Sequence, residues 1–163
     1  MRGILGAFGA LFLNNANAGR DSENDPAAAA GSEPKATVLL IDDDHATLDV
    51  LRPVLATEGL KVLTAQSGAK GLDMLRYCSS DVRVVVLDYN MPHLNGEQTL
   101  EFLRRLSPNV RVIGLSGVDP NLLPENYRTH VDKFLAKPFT NSALVNCVKD
   151  LAGLNVTPAP AHA

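Results

Sequence analysis

Apolar positions along this chain follow two rhythms. Short continuous runs alternate with longer stretches in which leucine recurs every three or four residues. The runs Val38–Ile41, Lys61–Ala65, Val82–Leu87, Val110–Leu115 and Lys133–Ala136 read as strands. The third contains VVVL with no polar alternation, as expected of a strand covered on both faces. Between the runs, helical spacing predicts Ala46–Glu58 through Leu48, Leu51 and Leu55, with Gly59 as its stop. Pro53 inside that helix is expected to kink it or open one hydrogen bond. Ser67 caps a second helix running to about Tyr77 through Leu72 and Leu75. Gly96–Leu106 and Thr140–Leu151 complete the set. From Ser116 to Val131, Pro120 and Pro124 leave room for only a short helix.

Five strand–helix pairs with short connections predict an α/β fold, a doubly wound parallel sheet with right-handed crossovers and helices on both faces. Open sheets of this kind bind ligands beyond the carboxyl ends of their strands. At those ends the pattern places Asp42 and Asp43 after strand one, Asp88 after strand three, Ser116 after strand four and Lys137 after strand five. Three carboxylates, a hydroxyl and an ammonium therefore meet at one rim. Clustered carboxylates stay ionised when a hard divalent cation bridges them, and Mg²⁺ takes oxygen ligands. A carboxylate beside Mg²⁺ and a lysine can accept a phosphoryl group as a nucleophile. Asp44, third in the DDD run, reads instead as the cap of the first helix. No GxxxxGK[ST] pattern marks a P-loop.

LLIDDD, VVVLDYNMPHLNG, VIGLSG and FLAKPF stand in that order along the chain. The set resembles the motifs of response-regulator receiver domains of two-component phosphorelays, over about residues 37 to 152. The resemblance implies a flavodoxin-like strand order of 2-1-3-4-5. It implies Asp88 as phosphoacceptor and a Mg²⁺ site of Asp42, Asp43, Asp88 and the Asn90 backbone carbonyl, with Asp42 acting mostly through water. It further implies Ser116 and Lys137 as phosphate-binding groups, Ser116 and Phe134 as the switch pair, and a cis Lys137–Pro138 bond. Implied partners are a sensor histidine kinase or histidine phosphotransfer protein and a downstream protein target. Such a domain phosphorylates and dephosphorylates itself and is not a conventional enzyme. Two departures stand out: SGVDPNLLPENYRTH replaces the Ala/Glu-rich fourth helix, and Phe134 lacks a tyrosine hydroxyl.

Two other readings compete. Asp42-x-Asp44 after a strand also fits the nucleophile signature of haloacid-dehalogenase-like phosphatases, but residue 46 is Ala, and neither a cap insertion nor a later acidic pair follows. A pseudo-receiver that binds partners without phosphorylation would not need the full site. His45 and His93 have no partners at metal-ligand spacing and read as solvated loop residues. Gly96 reads as the residue that permits a turn and close packing of the third helix.

Charge adds one exclusion: a net charge of −3 leaves no basic footprint for direct DNA binding. Cys78 and Cys147 show no metal or CxxC spacing and read as ordinary thiols. Residues 1–36 and 153–163 read as disordered ends around the receiver domain 37–152. The apolar run MRGILGAFGALFL is much shorter than the roughly 20 residues of a membrane-spanning helix. Ala16-Asn17-Ala18 resembles a secretory cleavage site, but a lone Arg2 forms the positive region before it. Asn155-Val156-Thr157 matches a glycosylation sequon only formally. A stand-alone, cytoplasmic receiver is therefore expected, because a receiver needs a phosphodonor supplied from ATP. A chain beginning near Thr37 should take up phosphate from acetyl phosphate on Asp88 as fast as the full chain. Slower labelling of the shortened chain would make residues 1–36 part of the working unit.

Overall fold

The computed structural model of the chain describes residues 34–78 and 81–155. The N-terminal apolar run, the Ala16–Ala18 segment, Val156 and Thr157 of the sequon, and the side chain of Cys78 lie outside the described residues. Cys147 is a free thiol. Five strands form: β1 (Thr37–Ile41), β2 (Lys61–Ala65), β3 (Val82–Asp88), β4 (Arg111–Ser116) and β5 (Lys133–Ala136). All pair in parallel in the order β2-β1-β3-β4-β5, the order the resemblance implied.

Five helices connect and flank them: α1 (His45–Ala56), α2 (Gly68–Cys78), α3 (Gly96–Leu106), α4 (Glu125–His130) and α5 (Asn141–Leu151). Four are capped as their sequences demand, α2 by Ser67, whose hydroxyl accepts from the Lys70 N–H at 3.3 Å. Asp44 accepts from the Ala46 N–H at the start of α1, and Thr140 from the Ala143 N–H at the start of α5. Asn95 and Gln98 form a reciprocal capping box at α3. Helix α1 ends two residues before the expected Glu58. Its last turn tightens, with Glu58 N–H donating to Leu55 and Gly59 N–H to Ala56 carbonyls. Gly59 then takes φ +78°, a conformation open to glycine without strain. The proline-bearing segment yields one 3₁₀ turn, Pro120–Leu122, and the six-residue α4, the short helix its prolines allowed.

Alternation along each strand divides the core in two. Val38, Leu40, Val84, Val86, Ile113 and Leu115 face Leu48, Leu51, Leu55, Leu144 and Val148, burying α1 and α5 on one side of the sheet. Leu39, Ile41, Val85, Leu87 and Val112 face Leu72, Leu75, Leu100, Leu103 and Tyr127 of α2, α3 and α4 on the other. The run VVVL is buried on both sides, as its lack of alternation required.

So short an α4 buries little apolar surface of its own, and a polar clamp holds its end. Arg104 in α3 donates to the His130 carbonyl at 2.6 Å and 3.0 Å, to the Val110 carbonyl at 2.5 Å and to Asp132 at 2.8 Å. Asp132 also accepts from Arg111 at 2.6 Å and from the Val112 N–H at 2.8 Å. Burial pushes the Asp132 carboxyl up, but the Val112 N–H and the two guanidinium groups outweigh it and hold the group below its ordinary value. A carboxyl lowered by folding stabilises the protein above the ordinary carboxylate range, and that stabilisation is lost as pH falls through the lowered value. Asp132→Asn should therefore cost about 2 kcal/mol in urea unfolding at neutral pH, as a charge-assisted network loses its anion. The difference from the parent should shrink steadily in acid; a constant difference would contradict the charge argument.

Candidate functional site

Register brings the strand ends to one edge. Ile41 lies opposite Leu87, Asp88 opposite Leu115, and Ser116 opposite Ala136. The next residue of β1 is Asp42, and the next of β5 is Lys137. Groups spread over residues 42 to 137 thus share one rim, as the strand-end rule required.

Asp42, Asp43 and Asp88 each present a carboxylate oxygen within 4.8 Å of the other two. Asp42 and Asp88 are buried, at 3% and 4% exposure, so water does little to screen them. Asp43 is exposed. At such spacing each pair of carboxylates repels by roughly 3 to 4 kcal/mol if the effective dielectric constant is about 20. Lys137 offsets part of this: its Nζ lies 2.7 Å from Asp88 Oδ1 and 3.2 Å from Asp42 Oδ2. Burial pulls the Lys137 ammonium down, but Asp88 and Asp42 overcome it and hold the group above its ordinary value. For Asp42 burial wins. Its carboxyl is pushed up, against the Asp44 N–H that donates to it at 2.9 Å and against Lys137.

Three carboxylates and one ammonium leave two negative charges in excess, the charge of one divalent cation. The donors are all hard oxygens, two of them held by strand ends. This set fits Mg²⁺ better than a soft transition metal.

Asp44 stands apart from that set. Its carboxylate accepts from the Ala46 N–H at 3.0 Å and the Thr47 hydroxyl at 2.8 Å, which lower its pKa, the Thr47 bond most. The DDD run thus divides as its sequence indicated, two carboxylates to the rim and one to the helix.

The other residues singled out in the sequence take these places. Ser116 is buried at the end of β4, with Oγ turned to its own loop: it accepts from the Val118 N–H at 3.0 Å and donates to the Val118 carbonyl at 3.1 Å. The Lys137 backbone N–H donates to the Ser116 carbonyl at 2.8 Å, tying β5 to β4 beside the site, and Lys137–Pro138 is cis. Asn90 is exposed in the turn after Asp88. In that turn a Cβ on Gly96 would lie 2.6 Å from the Asp88 carbonyl oxygen, so only glycine lets α3 start this close to the acceptor strand. His93 is exposed at φ 66°, and His45 is exposed and bonded to Gln66. Phe134 is half-buried, with its ring edge-on to Tyr127 at 5.8 Å.

Tyr127 is the residue that the sequence reading passed over. It is fully buried between Phe134 and Tyr89, the residue after Asp88, whose ring centroid lies 4.9 Å away. Its signal was present in the spacing Leu123, Tyr127, Val131, three residues four apart that are all buried.

Comparison with known proteins agrees with this architecture. Residues 38–149 match the model of the response regulator receiver domain. The sensor kinase CckA of Brucella abortus is 32% identical over 117 residues, covering 71% of this chain and 12% of its own length. The transcriptional regulatory protein GlrR of Escherichia coli is 34% identical over 121 residues, 73% of this chain and 27% of its own. This chain thus spans between about an eighth and a quarter of those two relatives. Among solved structures, a receiver domain protein of Clostridium thermocellum superposes with a TM-score of 0.67 at 28% identity, covering 72% of this chain and 94% of its own. The receiver domain of Francisella response regulator 1452 gives 0.65 at 29% identity, covering 72% and 97%. With its sheet order, its carboxylate rim and this match over most of its length, the chain belongs to the response regulator receiver domain family of two-component systems.

Proposed function

We propose that Asp88 accepts a phosphoryl group from a histidine kinase or histidine phosphotransfer protein, and that the modified domain changes its contacts with a downstream protein. The observation that carries this reading is the ion pair of Lys137 with Asp88 at 2.7 Å inside the carboxylate cluster. An Asp88 carboxylate oxygen forms a bond to phosphorus as the donor's phosphorus–nitrogen bond breaks. The electron pair stays with the imidazole nitrogen, and the ring leaves neutral because its second nitrogen keeps its proton. Lys137 then moves from the Asp88 oxygen to a phosphoryl oxygen, and the Ser116 hydroxyl turns from Val118 to another. Asp42, Asp43, Asp88 and the Asn90 carbonyl are the groups that would hold Mg²⁺. When bound, the ion supplies positive charge that neutralises the transferring oxygens. Residues 37–152 make up the working domain, and the expected compartment is the cytoplasm. Among the described residues no helix is long and apolar enough to cross a membrane. Family membership removes the support for a dehalogenase-like phosphatase, whose signature would have used Asp44, here committed to the α1 cap.

Incubation with acetyl phosphate and Mg²⁺, followed by intact-mass spectrometry, should add one phosphate to the parent chain and none to Asp88→Asn, with both folded. Equal labelling of the two would remove Asp88 from the role. An unlabelled parent would favour a pseudo-receiver.

Excess negative charge makes the metal-free site unstable. Because folding raises the Asp42 pKa, the group destabilises the protein at neutral pH, and the penalty fades as pH falls through the raised value. Millimolar Mg²⁺ should therefore raise the Tm of the parent by ligand linkage. Asp42→Asn should raise the metal-free Tm at neutral pH and blunt the response to Mg²⁺. A Tm indifferent to the ion in both proteins would leave the aspartates as a solvated turn.

A further inference from the structure

A net charge of −3 conceals an uneven distribution of charge along the strand axis. The carboxylate rim closes one end of the sheet. At the other end every strand starts within two residues of a lysine or arginine: Lys35, Lys61, Arg83, Arg111 and Lys133. Arg111 is paired with Asp132, and Lys133 with Asp150. Among the described residues, Lys35, Lys61 and Arg83 are exposed and form no ion pair. The Lys35 ammonium donates to the Glu58 carbonyl at 3.3 Å, while the Glu58 carboxylate is taken by Lys149. Asp81, two residues before Arg83, is an exposed anion at the same end. The three unpaired cations belong to β2, β1 and β3, which are neighbours in the sheet. Their starts are level, because Thr37 lies opposite both Lys61 and Val82. None of the three sits in the last turn of a helix, so offsetting a helix dipole does not account for them.

Exposed apolar side chains share this end. Helices α2 and α3 run back from the rim and finish here, with Tyr77 88% exposed in the last turn of α2 and Phe102 and Leu106 exposed near the end of α3. Leu106 and Arg83 line one hollow. Basic side chains around exposed aromatic and aliphatic ones are the composition of a membrane–water interface, where tyrosine rings and lysine stems sit at the level of the headgroups. The sequence preceding the fold supplies the other component. It enters at this same end, where the Lys35 N–H donates to the Gly59 carbonyl at 3.0 Å, and it carries the apolar run MRGILGAFGALFL. That run is too short to span a bilayer and has a single cation of its own, so alone it would hold a surface weakly. One apolar insertion together with a basic patch is the combination that holds. We propose that this end of the domain docks on an anionic lipid bilayer, with Lys35, Lys61 and Arg83 at the headgroups and residues 3–13 inserted as the second signal. The five residues of β1 then stand between bilayer and rim, about 16 Å of strand, and the rim faces solution. This inference goes beyond the phosphoacceptor reading and does not depend on it.

Flotation of the full chain with vesicles tests it, using phosphatidylcholine alone and an equal mixture of phosphatidylcholine and phosphatidylglycerol. The parent should float with the mixed vesicles and be released from them as added sodium chloride screens the headgroups. Lys35→Gln, Lys61→Gln and Arg83→Gln together should weaken binding to the mixed vesicles roughly a hundredfold, the loss of three cations from an anionic surface. The same triple variant should bind neutral vesicles as the parent does, and should keep the parent's Tm because all three side chains are exposed. Leu5→Asp with Phe12→Asp should weaken binding to both kinds of vesicle. A parent chain that stays out of the floating fraction would overturn the proposal, as would one that floats equally with both vesicles at every salt concentration. So would a triple variant, or a Leu5→Asp, Phe12→Asp variant, that floats as the parent does. Tighter binding to a single-stranded oligonucleotide than to the mixed vesicles, lost in the triple variant, would assign this end to nucleic acid and overturn the membrane reading.

Discussion

Repulsion among the carboxylates of Asp42, Asp43 and Asp88 is the constraint around which this domain is arranged. Three like charges within 4.8 Å of one another cannot be tolerated at a sheet edge unless something fixed opposes them. Lys137 opposes them, but a lysine on a flexible stem would swing into water. Its backbone is therefore pinned to the Ser116 carbonyl, at the end of a strand hydrogen-bonded to β4. The same contact fixes the spacing between the backbones that carry the ammonium and the serine hydroxyl. Charge balance and the geometry of the rim are one device.

That device depends on the sheet behind it. The buried residues of β1 and β3 hold the two deepest carboxylates, and a shift of one residue in either strand would turn every side chain to the opposite face. The double-sided burial of VVVL makes such a shift costly, because both layers of the core would have to be exchanged. Asp88 is precise in position because the two residues before it, Val86 and Leu87, are buried on opposite faces of the sheet.

The strands, their polar ends and the cap at Asp44 were legible in the sequence because each follows from local pattern, whereas the strand order was implied by the family resemblance. A continuous apolar run, an acidic end and a helix spacing can be read within a dozen residues. The residues at the rim were legible for a second reason: strand ends are where a parallel sheet gathers chemistry, so finding the strands found which side chains converge. What escaped depends on distant partners. Nothing local to Asp132 says that it will accept from Arg104 and Arg111, which lie 28 and 21 residues away. The early end of α1 escaped because Gly59 signals a stop without saying how many residues of tight turn precede it. Tyr127 escaped because two prolines made its segment read as loop, although its apolar spacing continues through the short helix.

The prolines also explain why α4 has to be held from outside. Six residues make too few internal hydrogen bonds for a helix to be stable by itself, and Pro124 supplies no side-chain cap. Position is therefore set by the Arg104 bonds to the His130 carbonyl at one end and by Tyr127 at its centre. At its other end, where the loop from Ser116 enters, the helix is held by the burial of Leu123 and by no side-chain cap. The element with the fewest ties thus lies next to the one side chain at the rim, Ser116, whose present bonds run to its own loop and not to the acidic cluster. On the phosphoacceptor reading proposed above, that is where a change at Asp88 would meet the least resistance in a domain otherwise fixed by register and double-sided burial.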